Sequence, residues 1–218
     1  GLVGGGWGGG KTQLLAGAHG VFGQIFFSSM VALAIALTPE FINNGRRLLA
    51  AKGGGIMLAL LVCLTLQLTF GAMYRHLRSS HALYSHIGFS FIAMTLCVIG
   101  GIVLIKRGKA IAELGGAWAA VGSRLYKLGL GLHIVVTVQF VLGWAAWGTI
   151  IQSGSSTRTL PGPDELATSA QVPVLEATMR TLHQANGASL LALAVAGTLW
   201  AWRLLGEKTD VASTSPLV

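Results

Sequence analysis

Five stretches of this chain are almost free of charge: residues 14–37, 55–74, 82–105, 128–151 and 181–204. None contains Asp, Glu or Lys, and their only Arg is Arg203, at the end of the last one. About 20 apolar residues cross the hydrocarbon core of a bilayer as a helix at a rise of about 1.5 Å each. The runs are continuously apolar and do not alternate at period two, so they predict helices, not the strands of a barrel. Composition agrees. Hydrophobic residues make up 53% and charged ones 10% of 218 residues, against about 25% charged in soluble domains. Disorder, a disulfide scaffold and an ordinary water-soluble enzyme are thereby excluded. The expected fold is an all-α integral membrane protein.

The basic excess, 15 Lys and Arg against 7 Asp and Glu for a net charge of +8, lies in short clusters between the apolar runs. That distribution belongs to membrane topology and not to nucleic-acid binding. Lys11, Arg75, Arg78, Arg158 and Arg180 fall on one side. Arg46, Arg47, Lys52, Lys106, Arg107, Lys109, Arg124, Lys127, Arg203 and Lys208 fall on the other. The positive-inside rule then makes the second side and the C-terminus cytoplasmic, in a bacterial-type inner membrane or its equivalent. The Ser-, Thr- and Pro-rich stretch 152–179 faces outward. Cys63 and Cys97 both lie within spans, which predicts buried free thiols.

An internal repeat organises the spans. Gln67-Leu-Thr-Phe-Gly71 closes the second span and Gln139-Phe-Val-Leu-Gly143 closes the fourth. After an outer loop, each is followed by a span that opens with His and a small residue four positions on. These are His86-Ile-Gly-Phe-Ser90 and His183-Gln-Ala-Asn-Gly187, and His19-Gly-Val-Phe-Gly23 opens the first span in the same way. The spacing of His86 from Gly71 equals that of His19 from Gly4, which places the missing Gln before Gly1. The expectation is a chain that begins inside a helix of a longer protein. It would comprise antiparallel hairpins forming one complete four-helix bundle and part of a second. In domains, residues 1–40 would be the remnant of the N-terminal bundle and 41–54 a cytoplasmic linker. Residues 55–205 would form the C-terminal bundle and 206–218 a disordered tail.

His19, His86 and His183 are expected at one depth, toward the outer side. A small residue at i+4 shares the helical face of the His and leaves room for a flat, bulky group. Two imidazoles at matched depth on two helices of a bundle supply both axial ligands of a haem. Neutral imidazole brings no charge into a low-dielectric site. Gln67 and Gln139 are placed to orient these groups from behind. An intramembrane His also serves as a packing residue, and small-xxx-small spacing also lets helices approach. Three copies in register favour the cofactor. Zinc fits less well, since no Cys or carboxylate accompanies the His. His76 and His81 read as solvated loop residues, His81 as a weaker competitor of His86, and His133 as a packing residue. Trp144 and Trp147 read as interface aromatics with a haem-edge contact as the sharper alternative.

The series Gln67…Gly71-Ala-Met-Tyr-Arg-His, His86-Ile-Gly-Phe, Gln139…Gly143 and His183-Gln-Ala-Asn-Gly-Ala resembles the haem A synthase family. It covers nearly the whole chain, as the end of the family's helix three through helix eight. The resemblance implies two pseudo-symmetric four-helix bundles. It implies His86 and His183 as axial ligands of haem b, with Gln67, Gln139, Ser90 and Gly187 around the cofactor. His19 would be a remnant of the catalytic site that oxidises a methyl group of haem O to the formyl group of haem A. The implied partners are the lipid bilayer, the haem substrate, a haem O synthase or an electron acceptor. No carboxylate stands beside His19, where Ala16, Gly17 and Ala18 precede it. That departs from the family pattern and puts catalysis by this chain in doubt. Two other functions fit the same residues: a bis-His haem subunit that only transfers electrons, and a non-haem transporter or assembly protein with a His-lined path.

Overall fold

The computed structural model describes residues 8–43, 49–50, 53–77, 79–154 and 173–206. Five long helices dominate it: α1 (Gly8–Ala36), α3 (Gly54–Leu77), α4 (Ser80–Ala112), α5 (Ala117–Gln152) and α6 (Val174–Leu204). Each is long and apolar enough to cross a membrane. A short α2 (Pro39–Asn43) follows α1. Two-residue strands β1 (Leu49–Ala50) and β2 (Leu205–Gly206) pair in parallel, Leu49 with Leu205 and Ala50 with Gly206. The chain is an all-α membrane protein. The stretch 155–172 and the tail 207–218 lie outside the described residues.

The helices outrun the apolar stretches read from sequence. α4 continues through Lys106 and Arg107 to Ala112, and α5 starts at Ala117, ahead of Arg124 and Lys127. Lys and Arg are good helix formers, so charge marks the end of the apolar layer but not of the helix. Turns are correspondingly short. Ser79 caps α4, its hydroxyl accepting the Ala82 N–H at 3.3 Å. Gly115 and Gly116, at φ 73° and 56°, make the α4–α5 turn in a conformation that side chains disfavour.

Helices α3 to α6 pack as a cyclic bundle in which α4 touches α3 and α5, and α6 touches α5 and α3. α1 lies outside, against α3 and α6. The bundle is solid at one end. Met57, Leu60, Leu104, Leu125, Leu132 and Leu204 are fully or almost fully buried there, with Cys63 and Cys97 as free thiols in the same core. Outward positions such as Leu58, Val62, Ile92, Ile134 and Val141 are exposed and apolar, which suits contact with lipid tails.

Lipid provides no hydrophobic drive for helix association, so close backbone contact and interhelical hydrogen bonds must provide it. Glycines do this between α4 and α5. A Cβ on Gly122 would lie 2.4 Å from Ala112 N and 2.5 Å from Gly108 O, and one on Gly129 would lie 2.5 Å from Gly101 O. The two pairs, Gly101 with Gly108 and Gly122 with Gly129, repeat at the same spacing and fall opposite one another. His133 Nε2 donates to Val98 O at 3.0 Å across this seam, which makes it the packing residue expected from sequence. Thr198 Oγ1 donates to Met57 O at 3.0 Å between α6 and α3. Such bonds contribute about 0.6–2 kcal/mol each. At the end of α6, Arg203 donates to Ile42 O at 3.0 Å and lies over the Phe41 ring, holding α2.

Gly122→Ala is predicted to destabilise the bundle by about 1–3 kcal/mol through overpacking, lowering the thermal midpoint in detergent. Gly88→Ala, whose Cβ meets nothing within 4 Å, should leave that midpoint unchanged or slightly raised. Equal midpoints for Gly122→Ala and the native chain would contradict the close-contact account.

Candidate functional site

The other end of the bundle is hollow. A cavity of about 310 Å³ lies among α3, α4, α5 and α6, with Gly20 and Gln24 of α1 also lining it. Ligand pockets run from about 300 to 1,000 Å³, so the space suits a small molecule. His86 and His183 face each other across it, on the diagonal helices α4 and α6. Their ring centroids are 6.2 Å apart and their planes are 81° from parallel.

Each imidazole is seated on the helix before its own. His86 Nδ1 lies 3.0 Å from the Gln67 carbonyl oxygen, and the Gln67 amide donates back to the His86 carbonyl at 2.9 Å. A Cβ on Gly71 would meet the His86 ring at 3.0 Å, and one on Gly143 would meet the His183 ring at 3.1 Å. The glycine that ends each Gln-x-x-x-Gly motif therefore makes the hollow into which the next imidazole fits.

The hydrogen bonds also settle where the ring protons sit. A carbonyl only accepts, so His86 Nδ1 carries a hydrogen, which leaves Nε2 as the lone-pair nitrogen of the neutral ring. On α6, Asn186 Nδ2 donates to Val135 O at 3.0 Å and to Gln139 Oε1 at 2.8 Å. That turns the Gln139 NH₂ toward His183 Nε2, 3.3 Å away. His183 Nε2 is therefore the acceptor and Nδ1 the protonated nitrogen, buried without a partner. In their neutral forms both rings then keep the Nε2 lone pair, which in His183 is engaged by the Gln139 amide.

The remaining residues divide. Ser90 lines the cavity but donates its hydroxyl to Ile87 O of its own helix at 2.6 Å. The room at Gly187 is filled from Gln139, whose Nε2 would lie 3.1 Å from an added Cβ. His19 does not join the pair: it is exposed on α1, a few turns inside the helix, away from the cavity wall. His86 and His183 likewise lie a turn or more inside their helices, because α4 and α6 begin earlier than the apolar stretches. His81 is exposed in the first turn of α4, with Ser85 inside the helix and not before it. His76 is no loop residue. It lies in the last turn of α3, with its ring 3.7 Å from where a Cβ on Gly17 of α1 would be.

Sequence reasoning gave no site role to three residues, Asn186, Arg75 and Arg180. Asn186 takes the carbonyl of Gln139, and its counterpart in the repeat, Phe89, cannot. Arg75 and Arg180 line the cavity from the last turn of α3 and the second turn of α6. Trp144 and Trp147, which the sequence already offered as interface or cofactor-edge aromatics, line it from α5, and Trp144 stacks edge-on with Trp147 and with Phe140, centroids 5.3 and 6.1 Å apart. The helix positions of these residues were readable, but which face meets the cavity depends on the packing of α5 and α6.

No protein-family model, curated protein or solved structure matches this chain.

The tautomers can be read directly. In ¹⁵N-histidine spectra, His86 and His183 should each show a protonated Nδ1 and an unprotonated Nε2. A protonated Nε2 on His183 would contradict the chain of donors through Asn186 and Gln139.

Proposed function

We propose that the cavity holds an iron porphyrin, haem b, with His86 and His183 as axial ligands. In this reading the chain is the cofactor-holding bundle of a haem A synthase-like membrane oxidoreductase. One observation carries the proposal: two imidazoles on diagonal helices, each with Nδ1 as its protonated nitrogen, stand across a cavity with ring centroids 6.2 Å apart. That separation is about two metal–nitrogen bonds of ~2 Å plus a ring radius on each side. The donor set is right for haem and wrong for a structural zinc, since no group of three or more His, Cys, Asp or Glu forms among the described residues.

When bound, the iron supplies one-electron redox chemistry between two imidazoles. The chain supplies the rest. The Gln67 carbonyl holds the His86 Nδ1 proton, which fixes the ring and makes Nε2 a stronger donor. His183 has the same need: its Nδ1 proton is buried without a partner, while Gln139 occupies its Nε2. A small turn of the ring toward the Gln139 carbonyl, as His86 sits on that of Gln67, satisfies the proton and frees the ligating nitrogen. Gly71 and Gly143 permit that seating. Trp144, Trp147 and Phe140 exclude water along one wall.

Oxidation of the haem O methyl to the formyl of haem A belongs, in this reading, to the half of the protein marked by His19. The bundle described here would pass electrons to or from that half and an external acceptor. A purely electron-transferring bis-His subunit is the second reading. It is favoured by the cavity lining, in which the described residues include no Asp or Glu to serve as a proton acceptor. Both readings put the protein in an inner membrane with the His end outward; a haem O synthase is a neighbour in the first and an electron acceptor in either.

Purified in detergent, the protein is predicted to show a low-spin bis-imidazole haem spectrum. His86→Ala and His183→Ala should each abolish it, while His81→Ala should not. A colourless protein that takes up no haem would leave a transporter or assembly role. Membranes expressing the complete gene product should convert haem O to haem A if the oxidoreductase reading holds. Bound haem without that conversion would favour electron transfer.

A further inference from the structure

The mouth of the cavity carries charge that iron ligation does not use. Arg75 stands one turn, about 5 Å, beyond Gly71, the residue that seats the His86 ring. Arg180 stands one turn before His183. Because α3 runs toward this end and α6 runs away from it, both guanidiniums lie on the mouth side of the imidazoles, and both line the cavity. Each is held by one edge. Arg75 Nη1 donates to the side-chain oxygen of Gln184. Arg180 Nη1 donates at 2.9 Å to Glu176, which is 1% exposed and also accepts the Ser153 hydroxyl at 2.6 Å. A guanidinium has five N–H donors, so each side chain is fixed in place with donors to spare.

We infer that Arg75 and Arg180 receive the two propionate carboxylates of the tetrapyrrole, so that the cavity selects a dianionic porphyrin inserted acid edge outward. The inference rests on the ligation proposed above and adds the orientation and the chemical class of the ligand. Charge sign supports it: the propionates of a porphyrin are two negative groups, and two guanidiniums present the opposite sign at the mouth. Cations at membrane depth are costly unless paired, and Arg binds carboxylates through parallel N–H donors. The porphyrin plane must lie between the His helices, α4 and α6, so its edge reaches the mouth where α3 and α6 place the two guanidiniums.

The test compares haemin with its dimethyl ester, which has the same iron and ring but no carboxylates. Both are titrated into haem-free protein in detergent and followed by Soret absorbance. The free acid should bind at least roughly tenfold more tightly, as hydrogen bonds to charged groups imply. Arg75→Gln should reduce that preference about tenfold while leaving the affinity for the ester unchanged. Arg180→Lys, which keeps a cation beside buried Glu176, should weaken the preference in the same sense. Equal affinities for acid and ester, or an equal loss of both in Arg75→Gln, would overturn the inference while the low-spin spectrum of each complex upheld the ligation. No low-spin spectrum with either porphyrin would overturn the ligation and the inference together.

Discussion

An imidazole N–H buried at membrane depth must find an acceptor within the protein. His86 finds it in the backbone carbonyl of Gln67, on the neighbouring helix. Much of the hollow end of the bundle follows from that bond. The ring can reach the carbonyl only because Gly71 has no side chain. The bond ties α3 to α4 in one register and, by taking up Nδ1, commits Nε2 to the cavity. The Gln67 amide closes the exchange from the other side. His183 has the same glycine hollow on α5, but there the Gln139 side chain is bound by Asn186 and turns its amide to the ring's Nε2, while Nδ1 makes no hydrogen bond of good geometry. The two halves of the repeat thus differ at His183, where Asn186 stands in place of Phe89 and binds the Gln139 side chain.

The division of the bundle into a solid end and a hollow one has its own physical cause. At the solid end, Gly101, Gly108, Gly122 and Gly129 let α4 and α5 press backbone to backbone, and Met57, Leu60 and Leu104 fill the centre. At the hollow end the centre is lined instead by imidazoles, amides and aromatic rings. Packing density provides the stability, so the site end is free to keep space. A cavity inside an otherwise dense bundle costs contact energy, which the short turn at Ser79 and the Glu176–Arg180–Ser153 cluster help to offset near the mouth.

The spans, their number and the pairing of His86 with His183 were legible because apolar runs and repeats are local patterns. The use of each motif was not. From sequence, the small residue four places after a His was the natural room for a cofactor. In the structure Gly187 accommodates Gln139, while the glycines that receive the imidazoles sit on the preceding helix. A contact between successive helices is invisible to i, i+4 reasoning on either one. His76 looked like a loop residue because charged neighbours follow the apolar run, yet α3 continues to Leu77. The glycine seam of α4 and α5 was hidden for a similar reason: each pair is unremarked alone and acquires meaning only when the helices are laid together.

The relative orientation of the two imidazoles offers the most direct test of the central claim. Their planes stand 81° apart, and imidazoles held near-perpendicular on an iron would leave its dxz and dyz orbitals close in energy. Electron paramagnetic resonance of the haem-loaded ferric protein should give a low-spin signal of the strongly anisotropic type, lost in His183→Ala. A high-spin signal alone, or a low-spin signal that survives loss of His183, would contradict the account.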